Sequence, residues 1–141
     1  MTEGSLPVAV MISSARMHEG NKLIPLMESI SIKTGGKGRH RKRPKAVYAD
    51  TKYGMPLNRF YLDRKHIGQQ IPESPLKKKG GVGRPRGFDK PRYHGVRYNV
   101  ERFFGWLENY RKIAVRYERM AKTFLGLIHL ACSMILWRVL K

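Results

Sequence analysis

Apolar positions recur along this chain in two registers, and each register predicts its own elements. In residues 92–112, Val100, Phe103, Phe104 and Leu107 fall at i, i+3, i+4 and i+7. That spacing predicts an amphipathic helix with the four side chains on one face. Arg97, Glu101 and Glu108 step by four and seven, so they share a neighbouring face. In 124–140, Phe124, Leu127, Ile128, Ala131 and Ile135 cover more than one face, which predicts a helix buried against a sheet. Residues 6–13 form a short continuous apolar run and predict a buried strand. Residues 19–32 place Leu23, Leu26, Met27 and Ile30 at helical spacing, with Pro25 disturbing the early turns. Residues 46–50 predict a second strand that ends in an acid, and 51–54 a turn. Residues 56–65 predict a short helix, and 67–72 a third strand. The order strand, helix, strand, helix, strand, helix, helix predicts an α/β fold with a short, partly parallel sheet flanked by helices, in one domain over 1–141.

Charge changes the picture of the connecting segments. The 141 residues carry 29 Lys+Arg against 10 Asp+Glu, a formal net charge of +19. Hydrophobic residues make up 41%, too many for a disordered basic tail. The excess points to a polyanionic partner, foremost nucleic acid. An acidic membrane surface fits less well, because the charge is spread along the chain rather than set beside an anchor. Much of it sits in two glycine-rich segments, 33–45 and 77–92, both predicted as loops. Lys37, Arg39, Arg41, Lys42 and Arg43 in the first, and Lys77, Lys78, Lys79, Arg84 and Arg86 in the second, are candidate phosphate contacts, with Arg102 and Lys112 further on. The first segment can also be read as a solvated connection.

Cys132 is the single cysteine, which excludes an intrachain disulfide framework and a cysteine zinc site. Its apolar surroundings predict a small core residue. The N-terminus is not a secretory signal, since Glu3 stands where positive charge belongs. The apolar run 124–140 holds His129, Ser133 and Arg138 and is marginal for a bilayer. A buried core helix, no membrane partner and a cytoplasmic setting are therefore expected.

Two carboxylates are candidates for chemistry. Asp50 lies just past a predicted strand, a common position for a functional acid and equally for a helix N-cap. Glu101 is flanked by Arg97 and Arg102, and reads either as a surface ion pair or as a metal-binding carboxylate held over a phosphate. Enzymes that transfer phosphoryl groups on DNA hold two Mg²⁺ ions a little under ~4 Å apart with such acids. These hard cations need only oxygen ligands. No phosphate-binding Gly-x-x-x-x-Gly-Lys loop and no dinucleotide fingerprint is present. The five histidines are scattered, and only His94 stands near enough in sequence to face Glu101.

Together these residues resemble a family. Val47-Tyr-Ala-Asp50-Thr-Lys-Tyr-Gly54 is similar to the second-aspartate motif of the DDE transposases of prokaryotic insertion sequences, in the group with a Tyr–Arg–Glu–Lys signature. Arg97-Tyr-Asn-Val-Glu101-Arg-Phe-Phe-Gly-Trp-Leu closely resembles its catalytic-glutamate motif. Leu6-Pro-Val-Ala-Val through His18-Glu, the stretch from Asn109 to Glu118 and the apolar tail also resemble that family, so the likeness covers nearly the whole chain. It implies an incomplete ribonuclease-H-like fold lacking its first strands, and DNA cleavage and strand transfer at transposon ends with Mg²⁺ or Mn²⁺. By the same resemblance Asp50 and Glu101 are catalytic metal ligands, and Arg97 steadies a phosphate or the glutamate. Two positions depart from the signature: His94 stands where the tyrosine is expected, with Tyr93 beside it, and Glu108 replaces the lysine. The family's first aspartate is expected upstream of residue 6. The chain therefore resembles the downstream part of a transposase, from a split, frame-shifted gene or a truncated remnant. DNA, further copies of the chain and an upstream half are the implied partners. A non-catalytic basic nucleic-acid-binding remnant is the alternative reading.

Overall fold

The structure is a computed structural model and describes residues 6–33, 35–73 and 86–141. These fall into two compact units, Ser14–His94, and Gly95–Lys141 with the described part of Met1–Ser13. The architecture is α/β. Among the described residues there are five α-helices and one two-stranded parallel sheet.

In Ser14–His94, a 3₁₀ turn, Glu19–Lys22, opens into helix α1, Leu23–Ser29. The His18 side chain caps the turn by accepting from the Gly20 N–H at 3.2 Å. Pro25 stands in the first turn of α1, where its missing N–H costs nothing. The helix expected over 19–32 is thus shorter and ends where Ile30 becomes extended. Strand β1, Ala46–Tyr48, is followed by helix α2, Pro56–Arg64, and strand β2, Gly68–Gln70. The strands are parallel, with Ala46 opposite Gly68 and Tyr48 opposite Gln70. Parallel strands need a crossover, and α2 supplies it.

The end of α2 is built to reverse the chain. His66 takes a left-handed φ of 52°, its N–H bonds to the Asp63 carbonyl at 3.0 Å, and the Ile67 N–H bonds to the Leu62 carbonyl at 2.9 Å. This is the paired-bond helix stop with its apolar contact, since Leu62 and Ile67 share the core of this unit. That core contains Leu23, Met27, Leu62, Ile67 and Ile71, with Leu62 fully buried.

Helix α3, Lys90–Glu108, starts in this unit and continues into the other. Lys90 and Arg92, expected in a basic loop, lie on the helix. The Asp89 carboxylate caps it, accepting from the Arg92 N–H at 3.1 Å. The second unit adds α4, Arg111–Ala114, and α5, Ala121–Leu140. Phe103 and Leu107 of α3 pack with Ile128, Ala131, Cys132 and Ile135 of α5. These α5 residues fall at i, i+3, i+4 and i+7, a single buried face.

Three expectations need correction here. The 6–13 run is not a strand: no ladder forms, because no described strand in this unit offers it a partner, and Val10 and Ile12 pack against the helical core instead. Helix α5 is not buried against a sheet; its core contains helical residues, and Leu130, Met134 and Trp137 on another face are exposed. Phe104 is 53% exposed, because the buried stripe of α3 steps Tyr93, Phe103, Leu107 with half-buried Val96 and Val100 between them. By length and composition α5 could also cross a membrane, although four of its residues form this core.

Candidate active site and nucleic-acid interface

Asp50 follows β1 by two residues and sits at the surface. Its Oδ1 accepts from the Thr51 N–H at 2.7 Å, so it caps the 3₁₀ turn Thr51–Tyr53. One carboxylate oxygen is therefore oriented by the backbone. Beside it, burial pushes the Tyr53 hydroxyl above its usual pKa, helped by the negative charges of Glu19 and Asp50. Tyr53 thus stays a neutral phenol, a donor rather than a second anion.

Glu101 lies mid-way along α3, in the other unit. Its Oε1 accepts from Arg97 Nε at 3.1 Å, and both side chains are more than half exposed. Arg102 turns away along its own helix. Its guanidinium lies 5.3 Å from the Trp106 ring centre and 5.9 Å from that of Tyr98, and it donates to Asn99 Oδ1. Trp106 and Tyr98 thus fix its direction by cation–π attraction. His94 packs edge-on against Tyr93 at 5.8 Å. Glu108 closes α3 and is exposed, as is Lys112 on α4.

The start of α3 is held to the sheet within its unit. The Gln70 side chain of β2 accepts from the Asp89 N–H at 2.8 Å and donates to the Gly87 carbonyl at 3.4 Å. Arg92 lies over the Tyr48 ring of β1 at 5.9 Å. Arg86 is paired with Asp63 of α2 through two hydrogen bonds, of 3.0 and 3.2 Å. That bidentate contact holds the Asp63 carboxyl below the usual range.

Asp50 and Glu101 each carry the hard, anionic oxygens that a divalent cation of this kind prefers. Among the described residues no group of three or more His, Cys, Asp or Glu side chains is gathered to hold one.

The basic residues divide. Lys77, Lys78, Lys79 and Arg84 lie outside the described residues. The first basic segment is pinned at its base by an antiparallel bridge, Ile32 N–H to Arg41 at 3.0 Å and Arg41 N–H to Ile32 at 2.8 Å. Between them the chain turns through Gly35, whose φ of +74° suits glycine, and Lys37 is exposed. Arg39, Lys42 and Arg43 then line a cleft of about 590 Å³ against α1 and α2. Arg43 Nη1 donates to the Lys65 carbonyl at 3.1 Å, which ties the segment to the end of α2. Lys65, Tyr61 and Glu28, which the sequence did not single out, also line this cleft, with Met27, His40 and Ile67. Their only sequence signal was the basic end of α2, because the fold rather than spacing brings them to the loop.

The family model described as "Transposase DDE domain" matches residues 1–136. A transposase assigned to insertion sequence element IS402 of Burkholderia cepacia is 28% identical over 135 residues, 96% of this chain and 59% of the relative. One assigned to IS6501 of Brucella ovis is 46% identical over 44 residues, 31% of this chain and 34% of that relative. The chain thus spans less than two thirds of the length of either. No solved structure matches it. The family match takes in both the strand that leads to Asp50 and the helix that carries Arg97 and Glu101, and the chain belongs to the DDE-domain transposases.

Proposed function

We propose that this chain is the downstream part of a transposase catalytic domain, with a partial ribonuclease-H-like fold, that cuts DNA at the ends of an insertion sequence and joins the freed strand end to a target. The observation that carries this reading is the family match over residues 1–136, which takes in Asp50 at a strand end and Glu101 on its helix. A non-catalytic binding role draws no support from that match.

In this reading Asp50 and Glu101 are two ligands of divalent metal, Mg²⁺ or Mn²⁺. When bound, the metal supplies Lewis-acid stabilisation of the charge that builds on the phosphate. The chain's own residues do the rest. The Thr51 N–H fixes one Asp50 oxygen. Arg97 donates to Glu101 at 3.1 Å and offers a guanidinium to a phosphate. The cations of the 33–45 segment grip the backbone, with Arg102 and Lys112 as further contacts. The family's first acid comes from an upstream segment or a separate upstream half. The working enzyme is a multimer on paired DNA ends in the cytoplasm.

The test incubates the purified chain with DNA carrying the element's ends and Mg²⁺, alone and with the protein encoded immediately upstream. Nicking in the combined reaction is the expected result, with its loss in Asp50→Asn and in Glu101→Gln. Full activity of either variant would overturn the assignment of the acids.

A further inference from the structure

The cleft beside the first basic segment is not a plain phosphate patch. Its lining is cationic, with Arg39, Lys42, Arg43 and Lys65 beside His40. Met27 of α1 and Ile67 after α2, both core residues, add an apolar lining. The half-buried Tyr61 also lines it, and the Lys65 ammonium lies 5.9 Å from the centre of the Tyr61 ring. Glu28 is the single carboxylate among these lining residues. Duplex DNA presents phosphates and sugars on its outside, and its stacked bases would leave the apolar lining unused. An unpaired nucleotide presents a phosphate and a flat apolar face together.

We propose that this cleft receives an unpaired nucleotide of a DNA strand, its base stacked on Tyr61 over Met27 and Ile67 and its phosphate held by Arg39, Lys42 and Arg43. The proposal rests on the DNA-binding part of the function above and deepens it. Grooves that hold single strands combine a cationic track with aromatic platforms. Lys65 contributes on the same ring by cation–π attraction. Glu28 faces the base rather than the phosphate, because a carboxylate repels phosphate yet accepts from an exocyclic amino group. Burial and Glu28 both push the Tyr61 hydroxyl above its usual pKa, so the ring stays neutral against the strand. The 590 Å³ of space admits a base together with its sugar.

The experiment compares binding of a short fluorescent single strand and of the blunt duplex made from it, by anisotropy, using the whole chain. Tyr61→Leu is expected to weaken single-strand binding about 10-fold, within the range of one lost base–aromatic stack, and to leave duplex binding unchanged. Tyr61→Phe keeps the ring and is expected to bind as the parent does. Crosslinking of the unsubstituted chain to an iodouracil-bearing strand, which no folding defect can confuse, is expected to mark the peptide containing Tyr61. Equal loss on both probes, no loss on the strand, or crosslinks only elsewhere would overturn the cleft assignment. Duplex binding without strand binding sinks this proposal alone. Failure of both probes at low salt sinks it together with the DNA-binding reading.

Discussion

Arg97 Nε donates to Glu101 Oε1 at 3.1 Å across one turn of α3, with 55% and 64% of the two side chains exposed. An exposed i, i+4 pair is worth only about 0.3–0.5 kcal/mol, and the basic residue on the N-terminal side is the weaker orientation. Stability therefore gives little reason for the pair. Glu101→Gln is expected to shift unfolding by less than ~0.5 kcal/mol in urea while removing the Mg²⁺-dependent nicking of the proposed function. A variant that lost both equally would make Glu101 a structural residue. Arg97→Ala, with a similarly small stability change, tests whether the guanidinium serves the DNA: it should weaken substrate binding and retain some turnover.

His66 occupies the left-handed position that ends α2, at φ 52°. Glycine meets that conformation without a Cβ penalty, although it also gains freedom in the unfolded chain. His66→Gly should therefore raise stability, because the roughly 1–2 kcal/mol of left-handed strain it relieves exceeds the roughly 0.5–1 kcal/mol of added unfolded-chain freedom, read as a higher urea midpoint at unchanged slope. A lower midpoint would mean that the imidazole contributes packing beyond its backbone role.

The elements that pattern made legible are those whose partners lie nearby in sequence. Helix α2 and strands β1 and β2 form within the stretches 56–65, 46–50 and 67–72 expected for them, each a little shorter, because a strand–helix–strand crossover supplies its own neighbours. The 6–13 run could not be read the same way. A continuous apolar stretch says that side chains will be buried but not against what, and here they meet helices. Phe104 was misplaced because the 3.6-residue period lets either Phe103–Phe104 partner complete the face; packing against Ile128 and Cys132 selects Phe103. Asp50 and Glu101 are candidates through their motifs alone, whereas Tyr61, Lys65 and Glu28 line the cleft beside the basic segment only through tertiary folding.

The Asp63–Arg86 pair makes a prediction about acid. Arg86 lowers the Asp63 carboxyl by hydrogen bonding, against a smaller opposing effect of burial. A depressed folded-state value means that the stabilisation is complete above the ordinary carboxylate range, about pH 4, and is lost as pH falls through the lower folded value. Both groups are substantially exposed, so the effect is small. Asp63→Asn keeps an acceptor for Gln69, which donates to Asp63 Oδ1 at 2.6 Å, and removes the charge. The parent should unfold at higher urea than the variant at pH 7, and the gap should narrow near pH 3. A gap independent of pH would mean that the charge contributes nothing and shape alone matters.

Asn58 is 2% exposed, and its Nδ2 donates to the Gly20 carbonyl at 2.8 Å and to the Tyr53 carbonyl at 3.0 Å. One amide thereby joins the turn before α1 to the turn that follows Asp50. Asn58→Ala leaves two carbonyls without that donor, each costing about 1–3 kcal/mol when buried. An overall loss of about 2–4 kcal/mol is expected in urea. Asn58→Asp is the sharper test, because it replaces the donor with an acceptor facing two other acceptors. A carboxyl there is held protonated by burial, so its folded pKa lies above the unfolded one. Stability is then retained below the unfolded value and lost as pH rises. The Asp variant should be closest to the parent near pH 4 and progressively weaker toward pH 7, the reverse of what the Asp63–Arg86 pair gives. A flat profile would show that water reaches this position and that the two carbonyls do not depend on Asn58.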